Sequence, residues 1–178
     1  MSNEYRVILA GFGGQGILFA GKIMAYTGLI EDRELSWLPS YGPEMRGGTC
    51  NCSVSISDEP IGSPLVVEPN ILLAMNQPSL EKFENAVVPG GTIFVDSSLI
   101  NRLPERTDVK VFNIPATNIA EENGLKGLGN VIMVGKIFKE TGFCKEETLE
   151  AAIRKVVPAR KATMVDLNLK ALEIGKSL

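Results

Sequence analysis

Two glycine-rich segments carry most of the residues able to do chemistry. The first is Gly11-Phe12-Gly13-Gly14-Gln15-Gly16, in which Gly11, Gly13 and Gly16 satisfy Gly-x-Gly-x-x-Gly. This spacing permits a tight turn, close approach of a ligand to the backbone, and close packing of the next helix. The amides at that helix start would meet an anion. Three readings stand: a dinucleotide site, a site for another phosphate-bearing ligand or a partner, or a purely structural turn. A dinucleotide site calls for an acidic residue about 20 positions on, at the end of the second strand. Glu31 and Asp32 have the spacing, yet they precede the expected strand, and Pro39 and Ser40 follow it.

The second segment is Ser40-Tyr41-Gly42-Pro43-Glu44-Met45-Arg46-Gly47-Gly48. Arg46 offers a planar donor fork for phosphate or carboxylate, and Glu44 is placed to orient it. Tyr41 adds an aromatic face and a hydroxyl. Gly47 and Gly48 let backbone amides approach a ligand. The competing reading is a surface loop with an incidental ion pair.

A third set follows the expected strands: Asn76-Gln77, Asp96-Ser97-Ser98 and Ala116-Thr117. The carboxyl ends of parallel strands form the ligand crevice of an open α/β sheet. Helix capping and turn chemistry explain the same residue types. Cys50 and Cys52 lie two apart, and the chain has no histidine. That rules out histidine bases, Ser-His and Cys-His nucleophiles and most catalytic zinc sites. Three cysteines also fall short of the usual four thiolates of an iron–sulfur cluster. No metal site and no catalytic residue is expected in this chain.

These segments need elements to hold them. Tyr5–Ala10 reads as a buried strand and Ile17–Thr27 as a helix stopped by Gly28. Glu34–Leu38 reads as a second strand. Five of the ten residues from Pro39 to Gly48 are Pro or Gly, which marks a loop. Thr49–Ser57 alternates, with Cys50, Cys52, Val54 and Ile56 on one face and Asn51, Ser53, Ser55 and Ser57 on the other. That pattern predicts an antiparallel strand with one buried face and one polar face. Ile61–Val67, Ile71–Met75, Thr92–Val95 and Val109–Ile114 are further expected strands. Pro78–Ala86 is an expected helix, and Asn118 with Glu121 suggests a capping box. Helical spacing recurs at Val131, Val134, Ile137 and Phe138, at Leu149, Ala152, Ile153 and Val156, and at Val165, Leu169 and Leu172. The expected fold is α/β: three layers, with a mixed, mostly parallel sheet flanked by helices and a Rossmann-like first β-loop-α unit.

The 178 residues fit the roughly 100–200 of one domain. A net charge of −3 supplies no basic field, so no nucleic-acid partner is expected. No apolar run approaches the roughly 18 residues of a membrane span. The first residues carry no signal-peptide pattern. The sparse cysteines suit a reducing, cytoplasmic setting.

The glycine segment through Ile17, the Ser40–Gly48 segment, Ile61-Gly62-Ser63-Pro64, Asn76-Gln77-Pro78-Ser79, Pro115-Ala116-Thr117 and Gly129-Asn130 together resemble the gamma subunit of 2-oxoacid:ferredoxin oxidoreductases. The resemblance runs in order along nearly the whole chain. It implies one gamma-type domain over residues 1–178, most similar to the 2-oxoglutarate type. It implies an enzyme that oxidatively decarboxylates a 2-oxoacid with coenzyme A, giving acyl-CoA, carbon dioxide and reduced ferredoxin. Thiamine diphosphate and iron–sulfur clusters then belong to partners: alpha and beta subunits that bind thiamine diphosphate, and a ferredoxin-like delta subunit. The isolated chain is expected to be inactive. Gly11, Gly13, Gly14, Gln15, Gly16, Ser40, Tyr41, Glu44, Arg46 and Gly47 become candidates for contacts to coenzyme A phosphate or to a neighbouring subunit. The alternatives are an independent NAD- or NADP-dependent dehydrogenase and an indolepyruvate-type oxidoreductase subunit.

Overall fold

A computed structural model describes residues 3–40 and 49–178. Tyr41, Glu44, Arg46 and Gly47 lie outside the described residues. The elements are β1 (Tyr5–Phe12), α1 (Ile17–Ile30), β2 (Glu34–Ser40), β3 (Thr49–Ser57), β4 (Ile71–Ala74), α2 (Gln77–Phe83), β5 (Thr92–Asp96), β6 (Lys110–Ile114), α3 (Ala116–Glu122), α4 (Gly129–Thr141), α5 (Glu146–Val156) and α6 (Met164–Ser177). A single 3₁₀ turn, Glu84–Ala86, extends α2.

The strands form one mixed sheet in the order β2-β3-β1-β4-β5-β6. β1, β4, β5 and β6 are parallel, and β3 runs antiparallel to both β1 and β2. β2 therefore points the same way as β1. Ser40 pairs with Asn51, and Phe12 with Thr49, so both glycine-rich segments leave the sheet at its carboxyl edge.

Alternation decides what each face meets. Val7, Leu9, Cys52, Val54, Ile56, Leu73 and Phe94 point to one face, where they pack with α1, α3, α4, α5 and α6. Ile8, Ala10, Leu72, Ala74, Ile93 and Val95 point to the other, where they meet Leu80 of α2 and the buried Val66. The three-layer expectation holds, with one thick helical layer and one thin one.

Five local expectations need correction. Gly28 does not stop α1, which continues to Ile30. Its missing side chain lets α1 lie on the sheet: a Cβ there would sit 3.3 Å from both Ile56 Cγ2 and Leu35 Cβ. Ile61–Val67 is irregular, not a strand; Pro60, Gly62, Pro64 and Pro69 break any ladder. Asn118 lies inside α3, whose N-cap is Pro115, so it forms no capping box with Glu121. Pro39 and Ser40 belong to β2, which is an edge strand, where proline costs no ladder bond on its open side. β3 is antiparallel as expected, but its polar face is buried as well: Ser53, Ser55 and Ser57 are nearly inaccessible.

Candidate functional site

The turn from β1 to α1 is held by one side chain. Gln15 folds back, and its Oε1 accepts from the Phe12 amide at 2.6 Å while its Nε2 donates to the Met75 carbonyl at 3.0 Å. Gly11 makes room for this, because a Cβ there would stand 2.5 Å from Gln15 Oε1. Gln15 thus ties the turn to the end of β4, and one loop amide is already occupied. Gly13 and Gly14 are exposed at the tip. Gly14 has φ +96 and open space where a side chain would be.

Gly16 fits the same motif for a different reason. It adopts φ +71 as the N-cap of α1, and a Cβ would strike the Asn130 amide. Asn130 Nδ2 donates to the Gly16 carbonyl at 2.9 Å from the first turn of α4. The third glycine therefore accommodates a helix from the far end of the chain. Asn130 is 2% exposed, and its Oδ1 has no partner among the described residues.

The residues after the other parallel strands stand along the same edge. Asn76 caps α2, accepting from the Ser79 amide at 2.9 Å. Asp96, fully buried at the end of β5, accepts from Thr117 Oγ1 at 2.5 Å and from the Ser98 amide at 3.1 Å. Capping and turn chemistry thus account for Asn76, Asp96 and Thr117, and the same bonds fix the start of α3. Gly129 lets α4 approach it: a Cβ there would lie 3.2 Å from Thr117 Cα. Between the glycine turn and the α3–α4 connection lies a cleft of about 270 Å³, lined by Gly14, Gln15, Met75, Leu99, Lys126 and Asn130 among others.

Sequence reasoning brought Gly14, Gln15 and Thr117 to this cleft but gave no role to Leu99, Lys126 or Asn130. The usable signal was an asparagine at the start of the apolar helix Val131–Val134, where a polar side chain needs a reason to be buried.

The acidic residues at dinucleotide spacing are elsewhere. Glu31 caps the end of α1, at the opposite edge of the sheet, where its Oε1 accepts from the Lys145 amide at 2.6 Å. Asp32 follows it with φ 55. Neither stands beside the glycine turn. Cys52 is fully buried against α1, and burial pushes its thiol up to about 12; Cys144 is also pushed up to about 12, first by burial and then by Glu31. Thiols this protonated are poor nucleophiles at neutral pH. Among the described residues, no group of three His, Cys, Asp or Glu side chains could hold a metal, and no helix is long and apolar enough to cross a membrane.

Comparison with known proteins agrees with this architecture. The chain is 42% identical over 174 residues to the ketoisovalerate oxidoreductase subunit VorA of Methanothermobacter thermautotrophicus, covering 97% of this chain but only 36% of that one. It thus spans about a third of that relative's length. It is 40% identical over 162 residues to the 2-oxoglutarate synthase subunit KorC of Methanocaldococcus jannaschii, covering 89% of this chain and 85% of that one. The crystal structure of a keto/oxoacid ferredoxin oxidoreductase gamma subunit from Geobacter sulfurreducens superimposes with a TM-score of 0.85 at 31% identity, over 98% of this chain and 95% of that one. Residues 6–178 match the family described as pyruvate ferredoxin/flavodoxin oxidoreductase, and the chain belongs to that family.

Proposed function

We propose that the chain is the gamma subunit of a multi-subunit 2-oxoacid:ferredoxin oxidoreductase, and that residues 1–178 form one gamma-type domain of it. The likeness to the Geobacter sulfurreducens gamma subunit over nearly the full length of both chains carries this reading. The reaction is oxidative decarboxylation of a 2-oxoacid with coenzyme A, giving acyl-CoA, carbon dioxide and reduced ferredoxin. The 2-oxoacid proposed is 2-oxoglutarate. Both ketoisovalerate and 2-oxoglutarate relatives are similar, and four 2-oxoglutarate synthase subunits match 89–100% of this chain at 30–40% identity.

Thiamine diphosphate and iron–sulfur clusters are assigned to alpha, beta and delta partners in the cytoplasm. The carbanion and redox chemistry belongs to those cofactors. The role of this chain is to shape and dock. Gly13 and Gly14 present an open backbone at the carboxyl edge, and Ser40 and Thr49 bring both ends of the Arg46 segment to that edge. Arg46, with Tyr41, Glu44 and Gly47, is assigned a contact to the phosphates of coenzyme A or to a neighbouring subunit. Gln15 already occupies the Phe12 amide, so in this reading it positions the turn.

Native co-purification tests the proposal. The wild-type chain should bring down companions with thiamine-diphosphate and cluster motifs, in a complex that prefers 2-oxoglutarate. The Arg46→Ala chain should fold but raise the KM for coenzyme A or lose companions. A chain that purifies without such companions from its native source would overturn the assignment.

A further inference from the structure

Residues 151–165 hold four cations, Arg154, Lys155, Arg160 and Lys161, and no carboxylate, in a chain whose net charge is −3. All four are exposed. Among the described residues none of them forms an ion pair, not even Arg154 with Glu150 one helical turn before it. Arg154 and Lys155 lie in the last turn of α5, where the helix dipole favours cations. Arg160 and Lys161 have no such reason. They occupy the short turn Ala159–Lys161 just ahead of α6, whose amino end disfavours positive charge. Thr163, where α6 starts, adds no side-chain cap.

The fold also places this turn. Val156 and Val157 are buried and fix the backbone between the two pairs of cations. α5 begins beside Glu31 at the amino edge of the sheet and packs along α1, so it runs back toward the carboxyl edge. The basic turn therefore stands at the end of the molecule that carries the glycine turn and both ends of the Arg46 segment.

We propose that this basic turn docks a carboxylate-rich surface of a companion subunit. The inference rests on the multi-subunit reading above and names one docking face and the charge it meets. Exposed cations without partners in their own chain steer and register an oppositely charged protein surface. A nucleic acid fits less well, because a chain of net charge −3 repels a polyanion. A single phosphate would engage one or two of the cations and leave the others as they are.

Two measurements on the native complex test this. Carbodiimide coupling joins a lysine Nζ to a touching carboxylate as an amide, with loss of water. Lys155 and Lys161 should couple to Asp or Glu of a companion; coupling confined to this chain overturns the proposal. In co-purification, Arg160→Glu/Lys161→Glu should retain about a tenth or less of the companions. Its thermal midpoint should be unchanged or raised, because acids suit the start of α6. A lower midpoint would leave the decision to the coupling of the wild-type complex. Lys82→Glu/Lys110→Glu makes the same change of charge on α2 and β6 and should retain the companions. The proposal is overturned if both double variants lose companions equally, or if Arg160→Glu/Lys161→Glu keeps them. The second result would stand even if that variant raised the KM for coenzyme A or lost binding to a short RNA. A wild-type chain without companions overturns the multi-subunit reading and this inference together, whereas a wild-type complex indifferent to the reversal overturns this inference alone.

Discussion

Cys52 and Ser53 are neighbours in β3 and sit in two different proteins, physically speaking. Cys52 points to the thick helical layer, where α1 presses so close that a Cβ on Gly21 would stand 2.5 Å from its sulfur. Ser53 points to the thin side, where, among the described residues, no helix crosses β3 and the irregular segment 58–70 is the cover. That cover is anchored at Val66, which is buried and donates its amide to Ser53 Oγ at 3.3 Å, while Leu65 and Val67 on either side are exposed. One face is sealed by interdigitated helices and the other by a strap held at its middle by Val66 and at its ends by the Glu59 amide on Ser57 Oγ at 3.0 Å and by the Asn70 side chain. The difference explains why both faces of β3 are buried although only one is apolar. A serine face is buried when its hydroxyls satisfy backbone groups of a strap that has no ladder of its own.

The helical side should fail first under overpacking. Gly21→Leu places a side chain where Cys52 Sγ and Trp37 Nε1 already stand, the latter 3.3 Å from the new Cβ. The helix gains propensity, but the core cannot move. Urea unfolding should show a loss of about 3 kcal/mol, at the upper end for inserted methylenes. A loss under about 1 kcal/mol would mean that α1 is free to lift, and the contrast between the faces would collapse.

The Cys52 thiol measures the same seal by titration. Its value of about 12 in the folded chain lies above the ordinary thiol value of 9.0, so the unfolded chain releases this proton first. The stability contribution is complete below pH 9 and declines as pH rises toward 12. The destabilisation caused by Cys52→Ala should therefore shrink by about 1.4 kcal/mol between pH 8 and pH 10, one decade past the unfolded value. The comparison with the alanine variant cancels Cys144 and the tyrosines. A gap that stays constant would show that water reaches the thiol beneath α1.

The contrast also marks what sequence shows and what it hides. The helical side was readable from periodicity: the apolar alternation of β3 and the helical spacing at Val131–Phe138 and Leu149–Val156 all map onto one core. The strap was not. Ile61–Val67 is apolar enough to pass for a strand, yet Pro60, Gly62, Pro64 and Pro69 deny it a ladder, and the fold uses it as an irregular cover with one buried residue. Gly28 reads as a helix stop because local signals cannot distinguish a terminus from a close approach to Ile56. The candidate site divides in the same way. The glycine turn is local and was visible in sequence, but its partner Asn130 lies 114 positions away, and only the fold brings the two together.

The thin side gives the smallest effect and the most local one. Ser53→Ala removes the acceptor of the Val66 amide and leaves that donor without its partner. The expected cost is about 1 kcal/mol. Most of it should appear as easier local opening, because segment 58–70 has no ladder to keep it closed once the anchor is lost. Amide exchange at Val66 should accelerate about fivefold while the α1 amides change little. If the α1 amides accelerate equally, the two faces open as one cooperative unit and the strap is part of the core. If Val66 alone responds, the strap is an independently opening cover over β3.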